Sequence, residues 1–201
     1  MRISAELPEG LGSAMIARVA VWASAPRRVA AAVRQAEWAA ERLSHPDRYG
    51  PPVTTRWFED YPQDSTWEFG PLLVDEAEVI DFGRRFDPQP FHVDPTAAAA
   101  GPYGGLIASG WHTCALMMRL FVEQYLSAAS SLGSPGVDEL RWVLPVRPGD
   151  ELTVKATVRE ARRSRSKPDR GLVRTHVELL NQDGDVVLTL LAMNLIRTRP
   201  S

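Results

Sequence analysis

Residues 86–95 read FDPQPFHVDP, residues 101–110 read GPYGGLIASG, and these two segments decide how the rest of the chain is interpreted. In the first segment Pro88, Pro90 and Pro95 lack backbone donors and bias the residues before them toward extended conformations. The segment is therefore predicted to be an ordered loop, neither regular helix nor central strand.

The first segment also places a carboxylate and an imidazole five residues apart, at Asp87 and His92. A proline-stiffened loop can hold the two side chains side by side at fixed geometry, as an acid/base pair requires. In loops such a pair is more often a turn-stabilising hydrogen bond, so spacing alone leaves both interpretations open. Of the other histidines, His45 and His176 are expected to be solvated, and His112 to be packed in a buried helix.

The second segment leads into a long apolar helix, with Gly110 in its first turns. Backbone N–H groups at a helix N-terminus lack intrahelical acceptors and attract negative charge, and glycine lets a ligand approach the backbone closely. Such a group can donate to an oxyanion. Glycines also permit tight turning and close helix packing, and composition does not separate the two interpretations.

With their spacing, the two segments resemble the MaoC-like dehydratases, which include the R-specific enoyl-CoA hydratases. The hallmark of that family is Asp-x-Asn-Pro-Leu-His-x-Asp-Pro followed by a glycine at the start of a long helix, to which residues 87–95 and Gly110 are similar. The sequence PVRPGD at residues 145–150 also resembles the family's strand connection. The resemblance covers residues 54–198 and leaves residues 1–52 outside it.

The resemblance implies an α+β hot-dog fold, in which a curved antiparallel sheet wraps a long central helix. It further implies a homodimer or higher homo-oligomer with sites near the subunit interface. By the motif match, Asp87 and His92 would be the catalytic pair, and the Gly110 N–H would hold the thioester carbonyl.

The implied reaction is the addition of water to a 2-enoyl-CoA thioester, or its removal from a 3-hydroxyacyl-CoA. No metal or redox cofactor is expected, and coenzyme A enters only as part of the substrate. The alternatives are an acyl-CoA thioesterase on the same fold and a non-catalytic partner subunit that binds acyl thioesters.

Three positions depart from the family pattern. Gln89 stands where the hallmark has Asn, and Phe91 stands where it has Leu, so both add bulk near the site. Ser109 precedes Gly110 where many relatives carry His. Phe91 and Ser109 are expected to contact the substrate.

Hydrophobic periodicity predicts the elements around the two segments. Strands are predicted at residues 66–74, 152–158, 173–179 and 186–196, and helices from Asp75 to Phe86, from Asp94 through Ala100, from Leu106 to about Leu126 and from Pro26 to Leu43. A turn-rich stretch after residue 43 places a boundary near residue 52. Residues 1–52 are thus expected to be a helical extension and linker, and residues 53–201 to form the hot-dog domain that the resemblance implies.

Composition excludes several classes of protein. The chain has 201 residues, 44% of them hydrophobic, and a net charge of −2, so it lacks the basic field that attracts nucleic acid or an anionic membrane. No apolar run approaches the roughly 18 residues of a transmembrane helix. The single cysteine, Cys114, cannot form an internal disulfide, which fits the cytoplasm.

Basic side chains are concentrated between Arg159 and Arg170. A solvated loop explains them, and the lack of interleaved aromatic residues argues against single-stranded nucleic acid. The functional alternative is that Arg163 and Arg165 meet the phosphates of coenzyme A, because an anionic carrier needs local positive charge in an acidic protein.

Overall fold

A computed structural model describes residues 55–200 of the chain. The expectations for residues 1–52 lie outside the described residues, namely the helix from Pro26 to Leu43, the solvated His45 and the boundary near residue 52.

Five strands and four helices follow a 3-10 turn at Phe58–Asp60 in the described part of the chain. The strands are β1 (Thr66–Leu73), β2 (Gly136–Trp142), β3 (Glu151–Arg163), β4 (Arg170–Leu180) and β5 (Val186–Arg197). The helices are α1 (Glu76–Phe86), α2 (Pro90–Val93), α3 (Pro95–Ala99) and α4 (Gly110–Gln124). The four predicted strands, α1 and α3 are confirmed, whereas β2 is an element that the sequence pattern does not predict.

The strands form one antiparallel sheet in the order β1-β3-β4-β5-β2. One row of paired residues crosses all five strands and runs Phe69, Val154, Leu179, Leu188, Trp142. The first four are buried, and the fifth, at the sheet edge, is 48% exposed. The row therefore begins in the hydrophobic core and ends at the surface on Trp142.

Helix α4 packs across β1 and β3 on the core face of this sheet. Its residues Leu116, Leu120 and Phe121 are buried, and the Phe121 ring lies 6.4 Å from that of Phe69 on β1. The opposite face of α4 is apolar but exposed, most of all at Trp111, which is 61% exposed. The expectation of a buried helix is therefore wrong for this face.

The structure differs from expectation in two places near the quoted segments. The proline-rich segment contains a helical turn, α2, because Pro90 occupies the first helical position, where a missing N–H and a fixed φ are tolerated. Helix α4 begins at Gly110, four residues after the predicted start. Residues 106–109 precede the helix and are held by neighbouring segments, since Ile107 N donates to Phe91 O and Ala108 N donates to Val146 O.

Within residues 55–200, no helix combines the length and the apolar character that a membrane crossing requires.

Candidate active site

The end of α1 and the start of α2 bring Asp87 and His92 together. Asp87 is the C-cap of α1 and its backbone N–H donates to Gly83 O. A Cβ on Gly83 would lie 2.9 Å from His92 O, so glycine is needed there for α1 and α2 to approach this closely.

The carboxylate and the imidazole are within reach of one another, with 3.3 Å between Asp87 Oδ2 and His92 Nε2. The His92 side chain is only 6% exposed and that of Asp87 is 23% exposed. His92 Nδ1 donates to Ile107 O at 2.8 Å, because a carbonyl can only accept. This bond fixes the ring so that Nε2, the nitrogen free to exchange a proton, faces the carboxylate.

Asp87 accepts hydrogen bonds from two further side chains. Ser109 Oγ donates to Oδ2 at 2.7 Å, and Gln89 Nε2 donates to Oδ1 at 2.8 Å. These bonds, with that of Ser109 the stronger influence, hold the pKa of Asp87 below its usual range against the opposing effect of partial burial; His92 adds a smaller effect in the same direction. Asp87 is therefore a stable carboxylate at neutral pH.

Ser109 has a more specific position than the sequence suggests. It lines the cleft, as a substrate contact would, but its hydroxyl is directed at Asp87. It is also the N-cap of α4, where its Oγ accepts a weaker bond from Trp111 N.

The N-terminus of α4 presents Gly110 to the same cleft. Within residues 55–200, no acceptor receives the Gly110 N–H, as is usual for the first residue of a helix. The indole of Trp142 packs against this glycine. Its Nε1 donates to Gly110 O at 2.8 Å, and a Cβ at position 110 would lie 2.5 Å from its ring.

Asp87, His92, Ser109 and Gly110 line one cleft of about 520 Å³. Its other walls are largely apolar and aromatic and come from Phe91, Tyr103, Ile107, Trp111, Trp142, Val143, Leu144 and Pro145. A carboxylate, an imidazole and an unpaired N–H thus share a pocket that an apolar chain can enter, a combination suited to acid/base chemistry on a carbonyl compound.

Phe91 lines the cleft as predicted and packs its ring 4.5 Å from that of His92 and 5.3 Å from that of Tyr103. The two arginines proposed to bind phosphate are not brought to the cleft of the same chain. Arg163 pairs with Glu59, and Arg165 is exposed in the β3–β4 hairpin. Val154 is the β3 residue in the row that ends on Trp142, a wall of the cleft. Arg163 lies nine residues further along β3, which corresponds to about 30 Å of strand.

The remaining described histidines stand apart from the cleft. His112 is 2% exposed and stacks on Phe82 with 4.7 Å between ring centroids, which confirms the expected packing. His176 lies on the same face of β4 as Arg174 and Glu178, as predicted. It is half-buried, so the expectation that it is solvated is wrong.

Two cleft residues, Trp142 and Tyr103, were not identified from the sequence. Trp142 lies in a strand without a buried face, and Tyr103 lies among glycines that favour a loop. The signal that could have identified them is the large aromatic ring itself, exposed beside a motif segment.

The chain matches the family described as the MaoC like domain over residues 58–179. It belongs to this family. The MaoC-like chain shares 40% sequence identity with the crystal structure of a MaoC-like dehydratase from Rhodospirillum rubrum, which covers 73% of this chain and all of that one with a TM-score of 0.68. The expected hot-dog fold is thereby confirmed.

Two curated relatives match a shorter part of this MaoC-like chain. The 3-hydroxyacyl-thioester dehydratase Z of Mycobacterium tuberculosis is 38% identical over 88 residues, or 43% of this chain. The uncharacterized protein YdeM of Bacillus subtilis is 33% identical over 81 residues, or 40% of this chain. Each match spans 57% of the relative's own length. The relatives include proteins named as dehydratases, which supports an enzymatic role for this member of the family.

Proposed function

We propose that this MaoC-like protein adds water to 2-enoyl thioesters of coenzyme A, or removes it from 3-hydroxyacyl thioesters, with Asp87 and His92 as the acid/base pair. The observation that carries the proposal is the 3.3 Å separation of Asp87 Oδ2 and His92 Nε2, in the cleft that also receives the Gly110 N–H. The name of the dehydratase relative, which states a 3-hydroxyacyl thioester, agrees with this substrate class.

In the hydration direction, a water molecule lies against the pair and loses a proton to it as its oxygen bonds to C3 of the enoyl group. The electron pair of the C2–C3 double bond moves toward the thioester carbonyl, whose oxygen becomes negative. The pair then returns a proton to C2, which restores the carbonyl. Dehydration runs through the same steps in reverse.

The Gly110 N–H supports the negative charge on the thioester oxygen. It lies at the positive end of α4, where an unpaired backbone donor and the helix dipole act together. Removing one such donor typically costs about 3 to 4 kcal/mol of transition-state stabilisation.

We also propose that the active form is a homodimer in the cytoplasm. An apolar surface supports the assembly: Trp111, Met118 and Val122 on α4 and Val143 and Leu144 after β2 are all more than 40% exposed. The free thiol of Cys114 suits a reducing compartment. We expect a Val122→Glu variant to lower the molar mass measured by light scattering. A wild-type chain that is monomeric at assay concentration and fully active would contradict the dimer.

The reaction is tested by incubating the purified 201-residue chain with short and medium 2-enoyl-CoAs, while enoyl absorbance and free thiol are both followed. A hydratase lowers the absorbance and releases no thiol, whereas a thioesterase releases thiol. A non-catalytic subunit does neither.

The matched variants are Asp87→Asn and His92→Asn, with His176→Asn on the half-buried face of β4 as the control. Loss of general acid/base assistance is typically about 10²- to 10⁴-fold, so we expect losses in that range for the first two variants and none for the control. Circular dichroism checks that each remains folded. Full activity in a folded Asp87→Asn or His92→Asn protein would refute the assigned roles.

A further inference from the structure

Arg147 lies at the rim of the cleft, in the connection between β2 and β3. The segment around it is anchored on both sides, since Ala108 N donates to Val146 O and Val74 N donates to Asp150 O. Arg147 N in turn donates to Asp150 Oδ2 at 2.8 Å. These bonds place the arginine next to the segment that carries Ser109 and Gly110.

The Arg147 side chain extends toward the glycine-rich loop. Its Nη2 donates to Tyr103 O at 2.7 Å, and its Nη1 lies 3.3 Å from the position of a Cβ on Gly105. Tyr103 and Pro145, which lies two residues before Arg147, both line the cleft. The guanidinium therefore bridges two walls of the cleft at its edge.

The charge of Arg147 is not neutralised within the described part of the chain. No carboxylate of residues 55–200 lies within ion-pair distance of its guanidinium, whereas Arg163 pairs with Glu59 and Arg199 pairs with Asp60. A guanidinium has five N–H donors, and the bond to Tyr103 O uses one. The others are available to an anion.

We propose that Arg147 binds a phosphate of the carrier to which the acyl thioester is attached, whether coenzyme A or the phosphopantetheine arm of a carrier protein. This inference rests on the proposed function, which places the acyl group at Asp87, His92 and Gly110. The carrier then leaves the cleft past its rim, where a planar guanidinium can bind phosphate oxygens through two parallel hydrogen bonds. Asp87 is anionic and the chain has a net charge of −2, so a local cation is needed for a polyanionic substrate.

The experiment compares one enoyl group on three carriers, namely coenzyme A, a holo acyl carrier protein and N-acetylcysteamine, which has no phosphate. In Arg147→Gln we expect the KM for the CoA thioester to rise about tenfold, equivalent to about 1.4 kcal/mol, with kcat nearly unchanged. The parameters for the N-acetylcysteamine thioester should not change. If KM rises with both phosphate-bearing carriers, Arg147 contacts the phosphate that they share. If KM rises with the CoA thioester alone, Arg147 contacts the nucleotide phosphates.

Arg141→Gln is the matched control, because Arg141 is exposed and, among residues 55–200, its guanidinium donates only to Leu140 O. An equal loss with all three carriers would mean that Arg147 only holds the Tyr103 loop, and this would overturn the proposal. An unchanged KM for both phosphate-bearing carriers would overturn it too. The proposal would also be overturned if the Arg163→Glu/Arg165→Glu variant had a higher KM for the CoA thioester while Arg147→Gln behaved like the wild type.

Calorimetric binding of free coenzyme A separates this inference from the proposed reaction. If the wild type turns over no thioester, the proposed function fails. A Kd for coenzyme A about tenfold weaker in Arg147→Gln than in the wild type still supports the phosphate site. Equal Kd values, or no binding by the wild type, refute it.

Discussion

Ser109 Oγ donates a 2.7 Å hydrogen bond to Asp87 Oδ2 while accepting a longer one from Trp111 N. One hydroxyl thereby connects the N-terminus of α4 to the C-cap of α1. The positive end of α4 favours negative charge on Asp87 through this bond as well as on any oxyanion at Gly110. The two halves of the candidate site are therefore coupled.

The first prediction concerns the Ser109→Ala variant. The pKa of Asp87 is lowered chiefly by the Ser109 hydrogen bond, so removing the hydroxyl raises this pKa toward its ordinary value. Activity that needs the carboxylate is lost as pH falls through the pKa of Asp87, and we expect the acid limb of the kcat/KM profile to move to higher pH. At neutral pH, loss of one hydrogen bond to a charged group should lower kcat/KM about tenfold.

The control for this prediction is Ser164→Ala, whose hydroxyl accepts from Lys167 N in the distant β3–β4 hairpin. Its pH profile should match the wild type. The Ser109→Ala variant also loses a helix cap, which costs about 1 kcal/mol and should appear as a small decrease in Tm. If the acid limb of the kcat/KM profile does not move in a folded Ser109→Ala protein, that limb does not reflect the protonation of Asp87.

The second prediction concerns the steric fit of Gly110 and Trp142. In Gly110→Ala the new methyl would lie 2.5 Å from the Trp142 ring, so the ring or the first turn of α4 must shift. We expect a loss of stability of about 1 to 3 kcal/mol, typical of overpacking, and a loss of kcat that exceeds any change in KM. Urea unfolding and steady-state kinetics measure the two effects.

A double-mutant cycle shows whether Trp142 is the cause. In the Trp142→Ala background the alanine at position 110 has room, so its stability cost should fall to a fraction of that in the wild type. The same cost in both backgrounds would place the strain elsewhere.

The sequence predicts four of the five strands because each has a buried face. The β4 and β5 patterns alternate between buried and half-buried positions along most of their length, and β3 does so from Leu152 to Val158. Strand β2 has no such signal, since none of its residues is buried, and its pairing with β5 is interrupted by a bulge between Asp138 and Arg141. It forms a strand because it pairs with β5.

In the candidate site, contacts between residues close in sequence were easier to predict than contacts between distant ones. Asp87 and His92 are five residues apart in a stiff loop, and their spacing in the sequence predicted their approach. The Ser109 bond to Asp87 joins residues 22 apart, and Trp142 reaches Gly110 from 32 residues away. Periodicity carries no information on contacts at such separations, which depend on how α1, α4 and β2 pack.

The third prediction tests a buried hydrogen bond beneath α4. Tyr125 Oη and Thr175 Oγ1 are 2.9 Å apart, and both residues are fully buried. Burial raises the pKa of Tyr125, so its phenol stays protonated. In Tyr125→Phe the Thr175 hydroxyl loses this partner, and we expect a loss of about 1 to 3 kcal/mol in the free energy of unfolding, measured with urea.

Thr175→Val is the companion to Tyr125→Phe. Replacing both partners of a buried hydrogen bond by apolar groups costs less than the sum of the single changes, so the double variant should be more stable than additivity predicts. Strictly additive costs would show that the two hydroxyls do not interact. Activity per folded molecule should not change, because neither residue lines the cleft.

The fourth prediction concerns Gln89, the residue that differs from the Asn of the family hallmark. Gln89 Nε2 donates to Asp87 Oδ1 at 2.8 Å and is the second largest cause of the lowered pKa of Asp87. Because its side chain is exposed and makes no capping bond to α2, Gln89→Leu should leave Tm unchanged while it moves the acid limb of kcat/KM to higher pH. The movement should be smaller than in Ser109→Ala and largest in the double variant.

The control for this prediction is Gln182→Leu on the β4–β5 turn, which also removes an exposed side-chain amide. If Gln89→Leu moves the acid limb of kcat/KM further than Ser109→Ala does, the Gln89 hydrogen bond lowers the pKa of Asp87 more than the Ser109 hydrogen bond does.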